Sequence, residues 1–350
     1  MCFGPAISSM SLGRAWVHEL PHKLDMAAKY GFKGIEIFYE DLEFCAKSLP
    51  GGNVPENRLV AAREIRKLCD ERDLKVICLQ PFMHYEGLKD REKHKERIEE
   101  MKLWLKLAKT LGTDQILIPS NFLPTEEITS DLDVIVADLV EVADLGADVS
   151  PPIRFSYESL AWGTYIDTWD KCWDIVKRVD RANFGICLDT FNIAGRVFAD
   201  PAAVTGCTTD AEEAIKKTIS ELIATVTTEK VFLVQVANAE RLPEPLIEGH
   251  QFYNPEQPAR MSWSRNCRLF YGEQDRGAYL PVKEISDAII HGLGYDGWVS
   301  AELFNRRMSD ADTEAPEELA KRGGESWKEF VKDLRLGAHD KDVPDIAIIS

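Results

Sequence analysis

The sequence predicts an α/β fold, a (β/α)8 TIM barrel in a single domain with a long loop after strand seven. Three observations point to it. Eight short apolar runs alternate with longer amphipathic stretches along 350 residues, which is the count such a barrel needs. Four successive late runs each end in a residue with an oxygen donor: Glu158, Asp189, Gln235 and Glu302. No Gly-x-Gly-x-x-Gly turn follows the first run, which disfavours the doubly wound alternative.

The first predicted strand is Ala6–Ser9, with a helical pattern over Lys23–Tyr30 behind it. The second, Gly34–Phe38, alternates Ile and Glu, and an amphipathic helix over Asn57–Arg72 follows. The third and fourth strands, Lys75–Leu79 and Gln115–Ile118, flank the long helical pattern Arg91–Leu111. Strands five to seven are Ile153–Tyr157, Phe184–Leu188 and Val231–Val236, each short, apolar and rich in β-branched or aromatic residues. Their companion helices are Leu132–Leu145, Trp169–Val179 and Ala211–Val226. The eighth strand is Trp298–Ala301, between helical patterns Val282–Gly292 and Pro316–Leu334. Residues Arg241 to Tyr279 show no clear helical period and read as a lid or binding loop on the catalytic face. We expect the catalytic domain to span 1–336 and residues 337–350 to form a C-terminal tail.

The chain carries 59 acidic and 42 basic residues, a formal net charge of -17. That balance disfavours nucleic acid and anionic membranes as partners, because both repel it at long range. It leaves room for a small anionic substrate bound by a local Arg cluster. The eight Cys occur singly, with no C-x-x-C pair, which fits a reduced compartment. No apolar run reaches membrane-spanning length and no leader pattern opens the chain, so we expect a cytoplasmic protein. No feature of the sequence encodes an oligomeric state.

In a parallel barrel the C-terminal strand ends converge, so Glu158, Asp189, Gln235 and Glu302 should share one site. Each alone could equally cap a helix or pair with a cation. Three carboxylates in one cleft repel one another, and a divalent cation relieves that repulsion. An all-oxygen set without Cys or His points to a Mg2+- or Mn2+-like ion. In the long loop, Arg265 and Arg268 stand three residues apart and suit bidentate capture of a carboxylate substrate. Arg306 can reach the same pocket, and Gln80 is placed to donate to substrate. Glu36 points either into the barrel mouth or to a structural partner. Of the seven His, only His84, after the third strand, and His250, in the long loop, are placed to act as acid or base.

These strand ends resemble the sugar-phosphate isomerase/epimerase superfamily of metal-dependent barrels. Within it, several strings are similar to the fungal 3-dehydroshikimate dehydratases of quinate and shikimate catabolism. They include Cys78-Leu79-Gln80-Pro81-Phe82, the run from Cys187 to Arg196, the run from Glu256 to Arg268, and Glu302-Leu303-Phe304-Asn305-Arg306. The resemblance implies loss of water from 3-dehydroshikimate to give protocatechuate, with one divalent ion (Mg2+, Mn2+ or Co2+) held at Glu158, Asp189, Gln235 and Glu302. Gln235 is the dehydratase-like choice, since sugar epimerases usually carry His there. Bacterial relatives often place a His three residues after the strand-six Asp; here that position is Asn192, so no base role carries over to it. Leu160 likewise replaces the His that some relatives have two residues after the strand-five Glu. The proton acceptor stays open between His84, His250, a metal-bound water and another loop residue. The alternative in the same fold is a metal-dependent keto-sugar isomerase or epimerase, and Gln235 with the Arg-rich loop argues against it.

Overall fold

Branched and aromatic residues concentrate in eight strands: β1 (Gly4–Ser8), β2 (Gly34–Phe38), β3 (Lys75–Gln80), β4 (Gln115–Pro119), β5 (Arg154–Glu158), β6 (Phe184–Asp189), β7 (Val231–Val236) and β8 (Trp298–Ala301). The computed structural model describes residues 3–336, and in it these strands pair in chain order until β8 closes on β1. Every neighbouring pair is parallel. The expected tail, 337–350, lies outside the described residues.

Strands β3 to β6 each run one residue further than periodicity suggests. Pro119 pairs with Glu158 across β4 and β5, and Asp189 with Gln235 across β6 and β7. Glu158, Asp189 and Gln235 therefore belong to the ladder itself, where backbone bonds fix their direction. Inside the barrel, Ala6, Ile77, Cys78, Leu117, Cys187 and Leu233 meet from five strands, with Trp298 packed against them. A Cβ at Gly4 would lie 2.4 Å from the Trp298 ring and one at Gly34 2.8 Å, so glycine is what lets that indole in.

Helices cover the outside: α1 (Leu20–Lys29), α2 (Tyr39–Lys47), α3 (Pro55–Asp70), α4 (Arg91–Leu111), α5 (Leu132–Ala147), α6 (Trp169–Val179), α7 (Thr190–Val197), α8 (Ala211–Thr225), α9 (Ala259–Cys267), α10 (Val282–Asp287) and α11 (Ala315–Asp333). Helix α4 has the predicted bounds, set by Asp90, which accepts from the backbone N–H of Glu92 and Lys93, and by left-handed Gly112. Arg91 and His94 of α4 bond Asp138 and Glu141 of α5, tying the two together.

The segment expected to lack helix, Arg241 to Tyr279, contains α9. This helix buries Met261, Ser262, Trp263, Ser264 and Cys267, so no single apolar stripe marks it in the sequence. It delivers Arg268 into a two-residue antiparallel ladder with Asn238–Ala239, directly beyond the end of β7.

Candidate active site

Glu158, Asp189 and Glu302 meet at the C-terminal mouth of the barrel. One carboxylate oxygen from each lies within 4.8 Å of the other two, a group that can hold a metal ion. All three are buried, with at most 4% of their surface exposed. Burial and mutual repulsion raise the Glu158 carboxyl well above its usual range, with Glu302 and then Asp189 as the charges responsible. Burial pushes Glu302 up to about 7, although Arg268 opposes the shift. Asp189 also serves as a cap: its Oδ1 accepts from Phe191 N at 2.7 Å at the start of α7. One oxygen thus fixes the side chain while Oδ2 faces the site.

Arg268 lies among these carboxylates. Its Nη1 donates to Asp189 Oδ2 and to Glu302 Oε2, both at 2.9 Å. Its Nε donates to Ser264 Oγ, and the guanidinium packs over Phe191 at 4.1 Å and Phe304 at 5.0 Å. Burial works against its charge, but Asp189, Glu302 and Glu158 outweigh it, so its pKa is raised. Arg268 is therefore no half of an exposed clamp with Arg265. The corrected placement follows from α9, which turns Arg268 inward at its C-terminus and leaves Arg265 exposed, bonded among the described residues to the neutral Gln257 at 2.8 Å.

Beneath the carboxylates lies a layer of amides. Gln80 Nε2 donates to Glu36 Oε2 at 3.0 Å and to Glu302 Oε1 at 2.9 Å, which commits both its hydrogens. Gln80 accordingly orients Glu302 here, where the sequence suggested a donor to substrate. Gln235 Nε2 donates to Glu36 and Glu302, and its Oε1 accepts from Cys187 Sγ. Exchanging the two ends of that amide turns its oxygen toward the carboxylates, the orientation a metal ligand needs. Glu36 is fully buried and pushed up to about 8, first by burial and then by Glu302. Asn192 donates to both Glu158 Oε1 (2.8 Å) and Asp189 Oδ2 (2.7 Å). Its role as a tether was not visible in sequence, though its place three residues after Asp189, on one helical turn, is the signal that could have shown it.

Among the described residues, the remaining candidates form no hydrogen bond to the cluster carboxylates. Arg306 pairs with Glu240 at 2.7 Å and covers the Phe252 ring. His250 accepts at Nδ1 from Phe252 N within its own loop. His84 lies beside Asn121 and Phe122, its ring 4.4 Å from that of Phe122.

A pH dependence follows for the metal-free protein. A carboxyl whose folded pKa is raised contributes stability that is full below its unfolded value of 4.5 and lost as pH rises through the folded value, about 7 for Glu302. Glu158 shifts in the same direction. The expected result is a thermal midpoint of EDTA-treated protein that falls between about pH 5 and 8, and falls less in Glu302→Gln. Thermal melts across that range check it, and a midpoint that rose through the window would contradict it.

A family model described as the xylose isomerase-like TIM barrel matches residues 24–330. A 3-dehydroshikimate dehydratase of Neurospora crassa is 59% identical over 338 residues, covering 95% of this chain and 94% of that protein. A protein of the same name from Pseudomonas aeruginosa is 30% identical over 298 residues, 85% of this chain but 38% of the longer relative. A solved xylose isomerase-like TIM barrel/4-hydroxyphenylpyruvate dioxygenase fusion protein superimposes with a TM-score of 0.72 at 25% identity, over 100% of this chain and 46% of that one. The chain belongs to the xylose isomerase-like TIM-barrel family.

Proposed function

We propose that this protein is a metal-dependent 3-dehydroshikimate dehydratase, removing water from 3-dehydroshikimate to give protocatechuate. The observation that carries the reading is the Neurospora relative of that name, 59% identical along 95% of the chain. The site is chemically consistent with it. Glu158, Asp189, Gln235 and Glu302 would hold one divalent cation, Mg2+, Mn2+ or Co2+, and three buried carboxylates bridged by Arg268 and by amide donors fit such a guest. When bound, the cation supplies Lewis-acid polarisation of the substrate ketone, which acidifies the adjacent C–H.

The chain's own residues supply the rest. Asn192 and Gln80 hold the carboxylates by side-chain N–H donors and exchange no proton. Arg265, exposed and paired with a neutral amide, would take the substrate carboxylate, while Arg306 is engaged by Glu240. Loss of the β-hydroxyl then leaves a dienone, and a final shift of a ring proton to oxygen yields the aromatic product. Aromatisation drives the reaction forward.

Arg265→Gln should raise KM by about 10- to 100-fold with kcat changed little, the range of one lost charge-assisted bond. Steady-state kinetics on both parameters check this; an unchanged KM removes Arg265 from substrate capture. The reading itself is tested by product analysis, in which the product must be aromatic and lighter than the substrate by one water. A product of unchanged mass would favour the keto-sugar isomerase or epimerase reading instead.

A further inference from the structure

We infer that Asn121 positions the proton acceptor of this reaction: it holds the His84 ring with its proton on Nδ1, leaving the Nε2 lone pair to take the substrate's α-proton. The inference rests on the dehydratase reading and adds to it the identity and tautomer of the base. It begins with the Asn121 amide. Asn121 Nδ2 donates to the Glu86 carbonyl at 2.8 Å, and Asn121 Oδ1 accepts from Leu123 N at 3.1 Å. A carbonyl only accepts and a backbone N–H only donates, so both ends of the amide are fixed. His84 Nδ1 lies 3.2 Å from that same Oδ1. An oxygen that can only accept requires Nδ1 to carry the proton, which places the lone pair of the neutral ring on Nε2. Among the described residues no hydrogen bond engages Nε2.

His250 has the opposite arrangement. Its Nδ1 accepts from Phe252 N at 3.1 Å, so in the neutral ring Nε2 bears the hydrogen and offers no lone pair. Of the two His that the sequence left open, only His84 presents an acceptor.

Asn121 is itself held from below. Its backbone N–H donates to Glu86 Oε1 at 2.6 Å, and the Tyr157 hydroxyl donates to the same oxygen at 3.0 Å. The preceding residue ties this assembly to the backbone that carries Glu158: Ser120 N donates to the Glu158 main-chain carbonyl at 2.7 Å, and Leu160 N to Ser120 Oγ at 3.0 Å. The His84 backbone has φ of 57°, a left-handed conformation that a residue other than Gly keeps only when its surroundings impose it. Four influences reach the ring. Burial lowers its pKa, hydrogen bonding to Asn121 raises it, Arg97 of α4 lowers it and Glu127 of the loop after β4 raises it; the net direction is down. The ring is therefore neutral and able to accept at neutral pH.

The step balances without a further reagent. The Nε2 lone pair forms the new N–H bond, and the C–H electrons move toward the ketone. The β C–O bond then breaks, and the departing oxygen takes the proton back from Nε2 as water, returning His84 to its neutral form.

The test combines kinetics with a readout independent of activity. In metal-loaded wild type, kcat/KM should fall on the acid side as His84 protonates. Asn121→Asp keeps the accepting oxygen but adds a negative charge that favours imidazolium, so this acid limb should move up by about one pH unit or more. His84→Gln should lower kcat by about 100-fold or more and abolish the limb. Imidazole 15N NMR, assigned by the signal missing in His84→Gln, should show wild-type Nδ1 protonated and Nε2 bare. An unmoved limb in Asn121→Asp, near-normal kcat in His84→Gln, or a protonated Nε2 would each overturn the inference. Absence of protocatechuate from wild type would instead overturn the dehydratase reading, and the NMR result would still decide the tautomer.

Discussion

Glu302→Gln should lower kcat by about 10²- to 10³-fold or more with saturating metal, while the protein remains folded. The size follows from what the carboxylate does in its buried place. Glu302 accepts from Gln80, Gln235 and Arg268, so its two oxygens are surrounded by donors. A Gln amide keeps the shape but removes a charge, and it presents its own N–H2 to groups that can only donate. Loss of one preorganised charge at a reacting centre commonly costs about two to three powers of ten. Turnover with and without added Mn2+, together with metal binding by calorimetry, measures the effect. Near-normal kcat without added metal would show that Glu302 is no metal ligand.

Arg268→Met should destabilise the metal-free protein by about 3–5 kcal/mol, the usual consequence of removing one partner from a buried ion pair. Arg268 is 1% exposed and bonds Asp189 and Glu302 at once, so its removal leaves two neighbouring carboxylates facing each other and Glu158. Met keeps much of the apolar stem between Phe191 and Phe304, which separates the loss of charge from the loss of packing. A divalent ion should restore part of the lost stability, because it binds the folded site and neutralises the same carboxylates. Urea unfolding with EDTA and with excess Mn2+ reads both effects. Equal stability of variant and wild type in EDTA would mean that Arg268 is not what holds the empty carboxylates together.

The contrast between Arg268 and Glu302 shows what the sequence could reveal. Glu158, Asp189, Gln235 and Glu302 were legible because a parallel barrel brings successive strand ends to one mouth, whatever separates them along the chain. Arg268 was recognisable as a site residue, but its partners were not. Its bonds to Asp189 and Glu302 span 79 and 34 residues and depend on how α9 turns the chain. The strands themselves were readable from β-branched runs, and only their end residues were misplaced. Helices α2 and α7 escaped because each starts at the residue directly after its strand, with no turn residues to mark the change. Helix α9 is buried on more than one side, so it has no clean apolar stripe. His84 and His250 looked equivalent in sequence. The hydrogen bonds to their Nδ1 atoms distinguish them, one ring being held as a donor and the other as an acceptor.

A metal-dependence assay on 3-dehydroshikimate tests the central claim most directly. Protocatechuate formation is followed by absorbance in the protein as purified, after EDTA, and after return of Mg2+, Mn2+ or Co2+. Protocatechuate that disappears with EDTA and returns with at least one of these ions is the predicted result. No protocatechuate with any ion would contradict the dehydratase assignment, and turnover undiminished by EDTA would contradict the metal site at Glu158, Asp189, Gln235 and Glu302.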